Sequence, residues 1–476
     1  MAALSVAAAA RDRPDAIAVV TRDETLRYAD LAERAAGMAA ALARLDPGPV
    51  AFVATARVST VALVAALLEV GRPFVPLHPR WSEAERTAAL AALDASGAIP
   101  DGAVVVDPAE LGRASAGSVE TSFASARARE TDLAVCLFTS GSAGAPKAVL
   151  LERGALVASA RAHAANLPFL PDDRWLALMP LAHAGGLSIV TRALASRTAI
   201  VLGDRFDPEE AIETVAQGRV TLASFVPAML AAMLDAGGER ALASLRACLV
   251  GGAGFPAGLR ERARRAGVRA LATYGLTETA SQIATQRTTD PIADDPAVVG
   301  PPLAGVEIEI RDARGARVQP GVTGRVFVRG PMLMRGYAGQ PARARSDWLD
   351  TNDLGSLDEG GALRILGRAD DTIVTGGENV HPTEVEAVIA RQQGARACAV
   401  FGVPDDVWGA VVALVLVVEP GADAHAICRA AASELATFKR PRLVAVVEAL
   451  PLSPNGKLDR RSLRAWSSGR LVAVDR

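Results

Sequence analysis

Residues 139–147 read Thr-Ser-Gly-Ser-Ala-Gly-Ala-Pro-Lys and follow directly on the apolar run of residues 133–138. The run predicts a buried strand, and the residues after it combine glycines, hydroxyl side chains and one lysine in a loop. Glycines let backbone N–H groups turn inward, hydroxyls add hydrogen-bond donors, and a lysine supplies a mobile positive charge. The pattern predicts a cradle for a phosphate chain, and its candidate ligands are Thr139, Ser140, Gly141, Ser142, Gly144 and Lys147.

The cradle is not a Walker loop, because Gly141 and Gly144 are separated by two residues and the lysine follows Pro146. A flexible surface turn is the alternative interpretation for these residues alone. Lysine usage argues against it, since only three of the 51 basic residues are Lys, namely those at positions 147, 439 and 457. A lysine ammonium is a compact, mobile charge and an arginine guanidinium is not. Each retained lysine is therefore a candidate for chemistry on an oxygen anion.

Length and composition limit the class of protein. A chain of 476 residues exceeds the size of one hydrophobic core, so two or three domains are expected. The net charge of -2 gives no electrostatic argument for binding to nucleic acid or to an anionic membrane. Neither a membrane span nor a signal peptide is expected from the apolar runs and the N-terminal residues. The scattered Cys and His favour reduced thiols over disulfides or a zinc site, and a cytoplasmic protein.

Short apolar runs alternate with amphipathic segments from about residue 16 to residue 275. This alternation is typical of helices packed on largely parallel sheets. From residue 300 the pattern changes to short strands between Gly and Pro turns, which predicts a small antiparallel β unit. After a polar joint at residues 367–371, the chain predicts a separate α+β unit. We therefore expect an α/β protein with two domains, residues 1–369 and a smaller, mobile C-terminal lid of residues 370–476.

Four stretches in this order resemble the adenylate-forming superfamily, which contains acyl-CoA synthetases, adenylation domains of peptide synthetases and luciferases. They are the loop at 139–147, Ala272-Thr-Tyr-Gly-Leu-Thr-Glu-Thr279, Asp350-Thr-Asn-Asp-Leu-Gly355 with Gly367-Arg368, and Pro454-Asn-Gly-Lys-Leu458. Each alone is a weak signal, but the four together are specific, and the resemblance covers nearly the whole chain. It implies that ATP binds below the glycine-rich loop and that a substrate carboxylate attacks the α-phosphorus to give an acyl adenylate and pyrophosphate.

The resemblance implies a role for each matched residue. Tyr274 is expected to lie against adenine, Thr277 to contact the α-phosphate and Glu278 to hold Mg²⁺, for which a carboxylate oxygen is a suitable ligand. Asp353 is expected to accept the ribose hydroxyls, with Arg368 beside it. Taken alone, Asp353 would be a turn former, and the joint occurrence of these residues at family spacing argues against that interpretation.

Lys457 is expected to be the mobile catalytic cation that bridges the attacking carboxylate and the phosphate, with Lys147 as a second cation in the loop. Taken alone, Lys457 would be a solvated surface charge. Three positions depart from the family pattern, because Ala143 stands where a hydroxyl is common, and Ala148 and Asn352 stand where Gly is usual. Loss of one hydroxyl is expected to weaken contacts to pyrophosphate without abolishing activity.

The second half-reaction also has matching residues. Asp370 stands where the family places its hinge, and Thr375-Gly-Gly-Glu-Asn379 matches the segment that the lid presents after it rotates. In acyl-CoA ligases that rotation withdraws the catalytic lysine and opens a channel for the CoA thiol. Gly376 and Gly377 are therefore expected to let the pantetheine arm approach closely. Because no carrier domain follows residue 476, free CoA is the expected acceptor, while a carrier protein supplied separately stays open.

The acid pocket is expected to draw residues from three parts of the chain: His183, Arg192, Gly251, Gly252 and Ser281. Within the superfamily, residues 172–180, 183–188 and 274–283 are most similar to o-succinylbenzoate-CoA ligases of menaquinone biosynthesis. Such an acid has two carboxylates, so the charge that does not react must be paired when it is buried. Arg192 is the candidate partner, with a solvent-facing helix position as the alternative. His183 is expected to form a wall or gate.

Three other functions stay open. A ligase for a monocarboxylic aryl or fatty acid would share every nucleotide residue but should tolerate Arg192→Leu. An adenylation enzyme that loads a carrier protein would exchange pyrophosphate without forming a CoA thioester. A silent nucleotide-binding regulator would be expected to lack Lys457 or Glu278, and both are present. A homodimer is one candidate assembly.

Overall fold

In the computed structural model the described residues are 4–98, 102–115, 128–139, 147–203, 205–291, 293–451, 458–459, 462–463, 465 and 469–474. Five residues of the expected site lie outside these ranges, namely Ser140, Gly141, Ser142, Gly144 and Lys457. The departure from the family pattern at Ala143 also lies outside them.

Strands and helices alternate through the first part of the chain, as the sequence predicts. In chain order they are α1 (Val6–Asp12), β1 (Ile17–Val20), β2 (Thr25–Arg27), α2 (Tyr28–Leu42), β3 (Val50–Val53), α3 (Val58–Val70), β4 (Phe74–Leu77), α4 (Glu83–Ala95), β5 (Val104–Val105), α5 (Pro108–Ser115), β6 (Leu133–Thr139), β7 (Lys147–Glu152), α6 (Arg153–Asn166), β8 (Arg174–Ala177), α7 (Ala184–Ser196), β9 (Ala199–Leu202), α8 (Pro208–Gln217), β10 (Leu222–Phe225), α9 (Pro227–Asp235), α10 (Glu239–Ala243), β11 (Ala247–Val250), α11 (Ala257–Arg265), β12 (Ala270–Leu276) and β13 (Ser281–Thr285).

Mainly strands follow in the next part: β14 (Val298–Gly300), β15 (Glu307–Arg311), β16 (Gly324–Arg329), β17 (Gly336–Tyr337), β18 (Leu349–Leu357) and β19 (Leu363–Arg368). The last part mixes both types: β20 (Ile373–Thr375), β21 (Glu378–Val380), α12 (Pro382–Ile389), β22 (Ala395–Asp405), β23 (Gly409–Val418), α13 (Ala424–Ala432), β24 (Leu443–Val446) and β25 (Val472–Ala473). Short 3₁₀ turns occur at Thr277–Thr279, Ala369–Asp371 and Thr437–Lys439.

Two sheets form the framework of the first part. The eight-stranded sheet has the order β13-β12-β11-β10-β8-β9-β1-β2, and its strands from β12 to β1 run parallel. The six-stranded sheet has the order β17-β7-β6-β4-β3-β5, in which β6, β4, β3 and β5 run parallel. One core cluster joins residues of both sheets with residues of α2, α3, α6 and α7. This core fixes the strand before the glycine-rich loop relative to the helix that carries Arg192.

Local sequence signals set where several helices begin and end. At the start of α4, Ser82 Oγ accepts from the Glu85 N–H while the Glu85 carboxylate accepts from the Ser82 N–H, which is a capping box. At the start of α8, the Asp207 side chain accepts from two backbone N–H groups of the first turn. α3 is terminated by Gly71, the residue after its last turn, whose φ of 73° is unfavourable for residues with a side chain.

The change of pattern at residue 300 corresponds to an antiparallel sheet with the order β14-β19-β18-β16-β15. Its core cluster includes Ile283 and Ala284 of β13, so this unit packs against the edge of the eight-stranded sheet. The pairing of β18 with β19 places Asp353 opposite Arg368. The expected small antiparallel β unit is confirmed.

A smaller α+β unit follows residue 371, as expected. Its sheet has the order β22-β23-β24-β25, with β23 and β24 parallel and the other pairs antiparallel. Two core clusters consist of residues from 373 onward. These separate cores support our proposal of a domain boundary between residues 369 and 370. In the described part of the chain, no helix is both long and apolar enough to cross a bilayer.

Candidate active site

A hairpin holds the two ends of the glycine-rich loop. β6 ends at Thr139 and β7 begins at Lys147, and these residues pair across the antiparallel ladder. Thr139 Oγ1 donates to the Lys147 carbonyl O at 3.5 Å. The next residue, Ala148, packs in a core cluster with Phe138, so the side chain that replaces the family's usual Gly is accommodated. Thr139 thus lies at the end of a buried strand, as the sequence predicts, whereas Lys147 begins a second strand that the sequence did not predict.

Lys147, Tyr337 and Glu278 form a cluster beside the loop. The Lys147 Nζ lies 5.3 Å from the centroid of the Tyr337 ring, and Tyr337 Oη donates to Glu278 Oε1 at 2.8 Å. Burial, and after it the neighbouring carboxylate, raises the pKa of Tyr337, so its hydroxyl stays a donor. The Glu278 carbonyl O in turn accepts from Met334 N at 2.7 Å. Lys147 and Glu278, which the sequence predicts as site residues, therefore both contact Tyr337.

Sequence reasoning missed Tyr337. The available signal was composition, because the chain has only three Tyr. Two of them, Tyr274 and Tyr337, each donate to a carboxylate that the sequence had already singled out.

Tyr274, Asp353 and Arg368, which the sequence assigns to adenosine, lie together. Tyr274 Oη donates to Asp353 Oδ2 at 2.5 Å, and Arg368 Nη1 lies 3.3 Å from Oδ1. Asp353 is only 6% exposed. Burial raises its pKa, and the hydrogen bond from Tyr274 and the charge of Arg368 act against that rise. Burial, together with the Asp353 charge, also raises the pKa of Tyr274, so the tyrosine is the donor.

Thr277 and Glu278 lie on the 3₁₀ turn Thr277–Thr279, directly after β12. Thr279 Oγ1 accepts from Leu276 N at 3.0 Å and donates to the Ser281 carbonyl O at 2.9 Å. A Cβ atom on Gly275 would lie 1.8 Å from the same carbonyl O, so this position requires glycine. The turn is thereby fixed on both sides.

Arg192 is buried on α7, with 1% of its surface exposed, so the alternative of a solvent-facing position is wrong. Its guanidinium lies 5.4 Å from the centroid of the Trp175 ring, and Nη2 donates to Ser281 Oγ at 3.4 Å. Its Nε has no hydrogen-bond partner among the described residues. Burial lowers the pKa of Arg192 to about 9, and no neighbouring carboxylate acts against that shift. The site thus contains a buried cation that lacks an acidic partner within the described ranges.

Ser281 adopts an unusual backbone conformation. Its φ is 110°, and the φ of the preceding Ala280 is 51°. Such conformations cost about 1–3 kcal/mol for a residue with a side chain and tend to occur at functional sites. The strained pair positions the hydroxyl that contacts Arg192.

His183 lies immediately before α7, at its N-cap position. Its ring centroid is 5.1 Å from that of His78, whose pKa is lowered chiefly by burial. A Cβ atom on Gly186 would lie 2.2 Å from the Pro180 carbonyl O, so the helix start packs directly on the preceding loop. The role of His183 as a wall of the acid pocket stays a prediction. The sequence analysis did not single out His78 as a neighbour of His183, because nothing in the residues around His78 indicates this contact.

Gly251 and Gly252 follow β11, at the carboxyl end of a parallel strand, where open α/β sheets bind ligands. The Gly251 N–H donates to the Phe225 carbonyl O at 3.1 Å. A Cβ atom on Gly251 would lie 2.7 Å from the Thr273 carbonyl O, and Gly252 has a φ of 79°. Both positions therefore favour glycine, and they border the strand that leads to Tyr274.

Asn352 stands where Gly is usual in the family, and its conformation and contacts explain why Asn is tolerated there. Its φ is 59°, a left-handed conformation that Asn tolerates better than most residues with a side chain. Its Nδ2 donates to Asp370 Oδ2 at 2.5 Å, and its Oδ1 accepts from Arg325 Nη2 at 2.9 Å. The side chain therefore joins β18 to the expected hinge residue.

Gly376 and Gly377 form the turn between β20 and β21, with φ values of 58° and 85°. The Gly376 N–H donates to the Trp408 carbonyl O at 2.8 Å. A Cβ atom on Gly376 would lie 2.7 Å from the Trp408 ring, which is 41% exposed. Glycine is thus required here by backbone conformation and by close packing.

Two family profiles match the sequence. The profile of the AMP-binding enzymes matches residues 6–338, and the profile of the AMP-binding enzyme C-terminal domain matches residues 384–457. The chain is 35% identical over 480 residues to the 2-succinylbenzoate–CoA ligase of Geobacillus kaustophilus, which covers 95% of both chains.

Solved structures give a consistent result. The o-succinylbenzoate CoA synthetase from Bacillus subtilis, in complex with its acyl-adenylate intermediate, superposes with a TM-score of 0.84 at 30% identity and covers 96% of this chain and 97% of that one. The same synthetase has been solved with ATP and a magnesium ion. ATP-bound MatB from Rhodopseudomonas palustris superposes with a TM-score of 0.87 at 27% identity and covers 97% of this chain and 99% of that one. These similarities confirm the expected fold class.

Proposed function

The chain belongs to the AMP-binding enzyme family and is an AMP-forming acyl-CoA ligase, and we propose that the acid it activates is o-succinylbenzoate. Relatives that match the chain over nearly its full length are named for this acid. The reaction would convert o-succinylbenzoate, ATP and CoA to o-succinylbenzoyl-CoA, AMP and diphosphate, a step of menaquinone biosynthesis.

The observation that carries the proposal is the burial of Arg192 without an acidic partner among the described residues. An unpaired buried charge is costly, so it is retained where a ligand supplies the opposite charge. One carboxylate of o-succinylbenzoate reacts with ATP, and the other stays ionised. Its pairing with Arg192 satisfies both groups, whereas a monocarboxylic acid would leave the guanidinium unpaired.

In the adenylation step, a carboxylate oxygen of the acid forms a bond to the α-phosphorus while the bond from that phosphorus to pyrophosphate breaks. Negative charge builds up on the phosphoryl oxygens, so fixed donors and cations stabilise the transition state. We assign the cations to Lys147 and Lys457 and the contact to the α-phosphate to Thr277. The remaining loop residues would hold the outgoing pyrophosphate.

Adenosine would bind at Tyr274, Asp353 and Arg368, where the buried carboxylate accepts the ribose hydroxyls. Glu278 would hold Mg²⁺, with Tyr337 orienting its carboxylate. Mg²⁺ supplies positive charge that neutralises the phosphates. A single carboxylate suits an ion that is bound largely by phosphate oxygens and water, and no cluster of three or more His, Cys, Asp or Glu side chains is present in the described part of the chain.

In the second step, the CoA thiol loses its proton and its sulfur forms a bond to the acyl carbon, while the bond from that carbon to the AMP oxygen breaks. We assign the hinge for the lid rotation to Asp370 and the approach of the pantetheine arm to Gly376 and Gly377. The open space beside Gly377, where an added Cβ atom would meet no atom within 4 Å, supports a backbone that can be approached closely.

The test is a screen for pyrophosphate release by the purified protein with ATP, Mg²⁺ and CoA. The acids are o-succinylbenzoate, benzoate, anthranilate and medium-chain fatty acids, and the thioester product is identified by mass. We expect turnover with strong preference for o-succinylbenzoate. Turnover of a monocarboxylic acid instead would contradict the substrate and keep the ligase chemistry. Acid-dependent pyrophosphate exchange without a thioester would indicate a carrier-loading enzyme, and no nucleotide turnover with any acid would indicate a silent regulator.

The proposal includes a location in the cytoplasm, where ATP and CoA are available. A homodimer stays a prediction, and sedimentation of the purified protein tests it.

A further inference from the structure

Two side chains on one face of α6 contact the residues on either side of Ser281, one at a backbone carbonyl and one at a side chain. Ser159 Oγ donates to the Ala280 carbonyl O at 3.0 Å, and His163 Nδ1 lies 2.9 Å from Gln282 Oε1. Residues four positions apart lie on the same face of a helix. Both α6 side chains are almost completely buried, with 4% and 1% of their surface exposed. The two contacts therefore bracket the single residue between them.

The hydrogen-bond network fixes the state of His163. Gln282 Nε2 donates to Thr273 Oγ1 at 2.7 Å and to Thr285 Oγ1 at 3.0 Å, so Oε1 is the acceptor that faces the imidazole. His163 Nδ1 must then carry the hydrogen. Burial, and after it the charge of Arg192, lowers the pKa of His163 well below its usual value, so the ring is neutral. It holds Gln282 without adding a second positive charge beside Arg192.

Ser281 needs this support because its backbone is strained. With a φ of 110° after an Ala280 at 51°, the pair keeps its conformation only where its neighbours hold it. Thr279 Oγ1 supplies a further bond to the Ser281 carbonyl O, at 2.9 Å. The result is a serine hydroxyl 3.4 Å from Arg192 Nη2.

We propose that Ser159 and His163 are positioning residues that hold the strained Ser281 hydroxyl against Arg192 and thereby set the enzyme's selectivity for an acid with a second carboxylate. The proposal rests on the proposed function, in which Arg192 pairs with that carboxylate. Neither α6 residue needs to touch the substrate. Ser159 acts through the Ala280 carbonyl and His163 through the Gln282 side chain. The Ser281 hydroxyl that they position then orients the guanidinium toward the ligand.

The experiment measures kcat/KM for o-succinylbenzoate and for 4-oxo-4-phenylbutanoate, the same acid without its ring carboxylate. The ratio of the two values is the selectivity. Ser159→Ala and His163→Phe should each lower the selectivity about fivefold, mainly through a higher KM for o-succinylbenzoate, because each removes one buried hydrogen bond. His163→Phe keeps an aromatic ring in contact with Phe169 and Trp175. His163→Asn should restore part of the selectivity, because its amide nitrogen can replace Nδ1.

The matched control is Asn166→Ala. Asn166 is also on α6, and its Nδ2 donates to the carbonyl O of Gln286, the residue after β13, at 3.2 Å, so the substitution removes a bond from the helix that does not flank Ser281. The selectivity should be unchanged in this variant. In an Arg192→Leu background, Ser159→Ala should have no further effect on selectivity, because coupled residues are not additive.

Unchanged selectivity in Ser159→Ala and His163→Phe, together with a collapse in Arg192→Leu, would overturn the positioning role and leave the proposed function intact. A wild-type protein without selectivity, or one that Arg192→Leu does not affect, would overturn both. If His163→Phe does not fold, Ser159→Ala, which removes only a hydroxyl, decides the question.

Discussion

The Asp353 carboxylate is buried and accepts hydrogen bonds from Tyr274 and Arg368, yet its pKa is raised. Because the pKa in the folded chain lies above that of the unfolded chain, the protonated form favours folding. That contribution is fully present below the unfolded-state pKa and is lost as the pH rises through the folded-state pKa. At neutral pH the ionised carboxylate therefore lowers stability, which is consistent with our proposal that it binds the ribose.

Asp353→Asn should consequently raise the KM for ATP about tenfold or more, because hydrogen bonds to a charged acceptor contribute about 1.5–3 kcal/mol each. The melting temperature should stay the same or rise, since the amide still accepts from Tyr274 and the half-exposed Arg368 remains hydrated. Steady-state kinetics and a thermal melt of the same preparation measure both quantities. A lower melting temperature with an unchanged KM for ATP would show that Asp353 is a structural residue.

Sequence alone predicted the charged residues that we propose for the nucleotide site, because each one stands in a recognisable motif. It left the burial of Arg192 open, since the partners Trp175 and Ser281 come from β8 and β13, at different positions in the eight-stranded sheet. Tyr337 was missed for the same reason, because its contacts to Lys147 and Glu278 depend on the pairing of β17 with β7. Such contacts between distant parts of a chain have no local signal.

At the scale of elements, apolar runs predicted strands well. The run of residues 133–138 forms β6 together with Thr139. The irregular positions were not predictable, because the left-handed conformation of Asn352 in β18 and the positive φ of Ser281 arise from tertiary contacts. The loop of residues 140–146 lies outside the described ranges, so the sequence-based assignment of Ser140 to Gly144 stays a prediction.

A pair of substitutions at Asn352 tests the backbone of β18. Asn352→Gly and Asn352→Ala both remove the bonds to Asp370 and Arg325, but only Gly adopts a φ of 59° without strain. The Ala variant should therefore be about 1 kcal/mol less stable than the Gly variant. Denaturant unfolding of both proteins measures the difference. Equal stabilities would mean that the left-handed conformation does not constrain the choice of residue.

At the scale of the whole molecule, the proposed mechanism requires that the two half-reactions use different arrangements of the proposed lid. The unit that follows residue 371, which we propose as the lid, has its own cores, and Asp370 just before it contacts Asn352 of β18. Lys457→Ala should remove most adenylation activity and leave thioester formation from supplied acyl adenylate largely intact. Asp370→Pro should do the opposite, because proline fixes φ at the hinge.

Pyrophosphate release and thioester formation from the pre-formed acyl adenylate are measured separately for each variant. An equal loss of both steps in Lys457→Ala would contradict its assigned role. Parental thioester formation in Asp370→Pro would place the hinge at another residue.

The proposed pairing of Arg192 with the second carboxylate is tested by a competition between two acids in one reaction mixture. Wild-type protein and Arg192→Leu are each given equal concentrations of o-succinylbenzoate and 4-oxo-4-phenylbutanoate with ATP, Mg²⁺ and CoA, and the two CoA thioesters are quantified by mass spectrometry. Their ratio equals the ratio of kcat/KM values. We predict that the o-succinylbenzoyl thioester dominates with the wild-type protein and that Arg192→Leu abolishes or inverts this preference. Equal products from the wild-type protein, or a preference that survives Arg192→Leu, would contradict the pairing of a buried guanidinium with the second carboxylate.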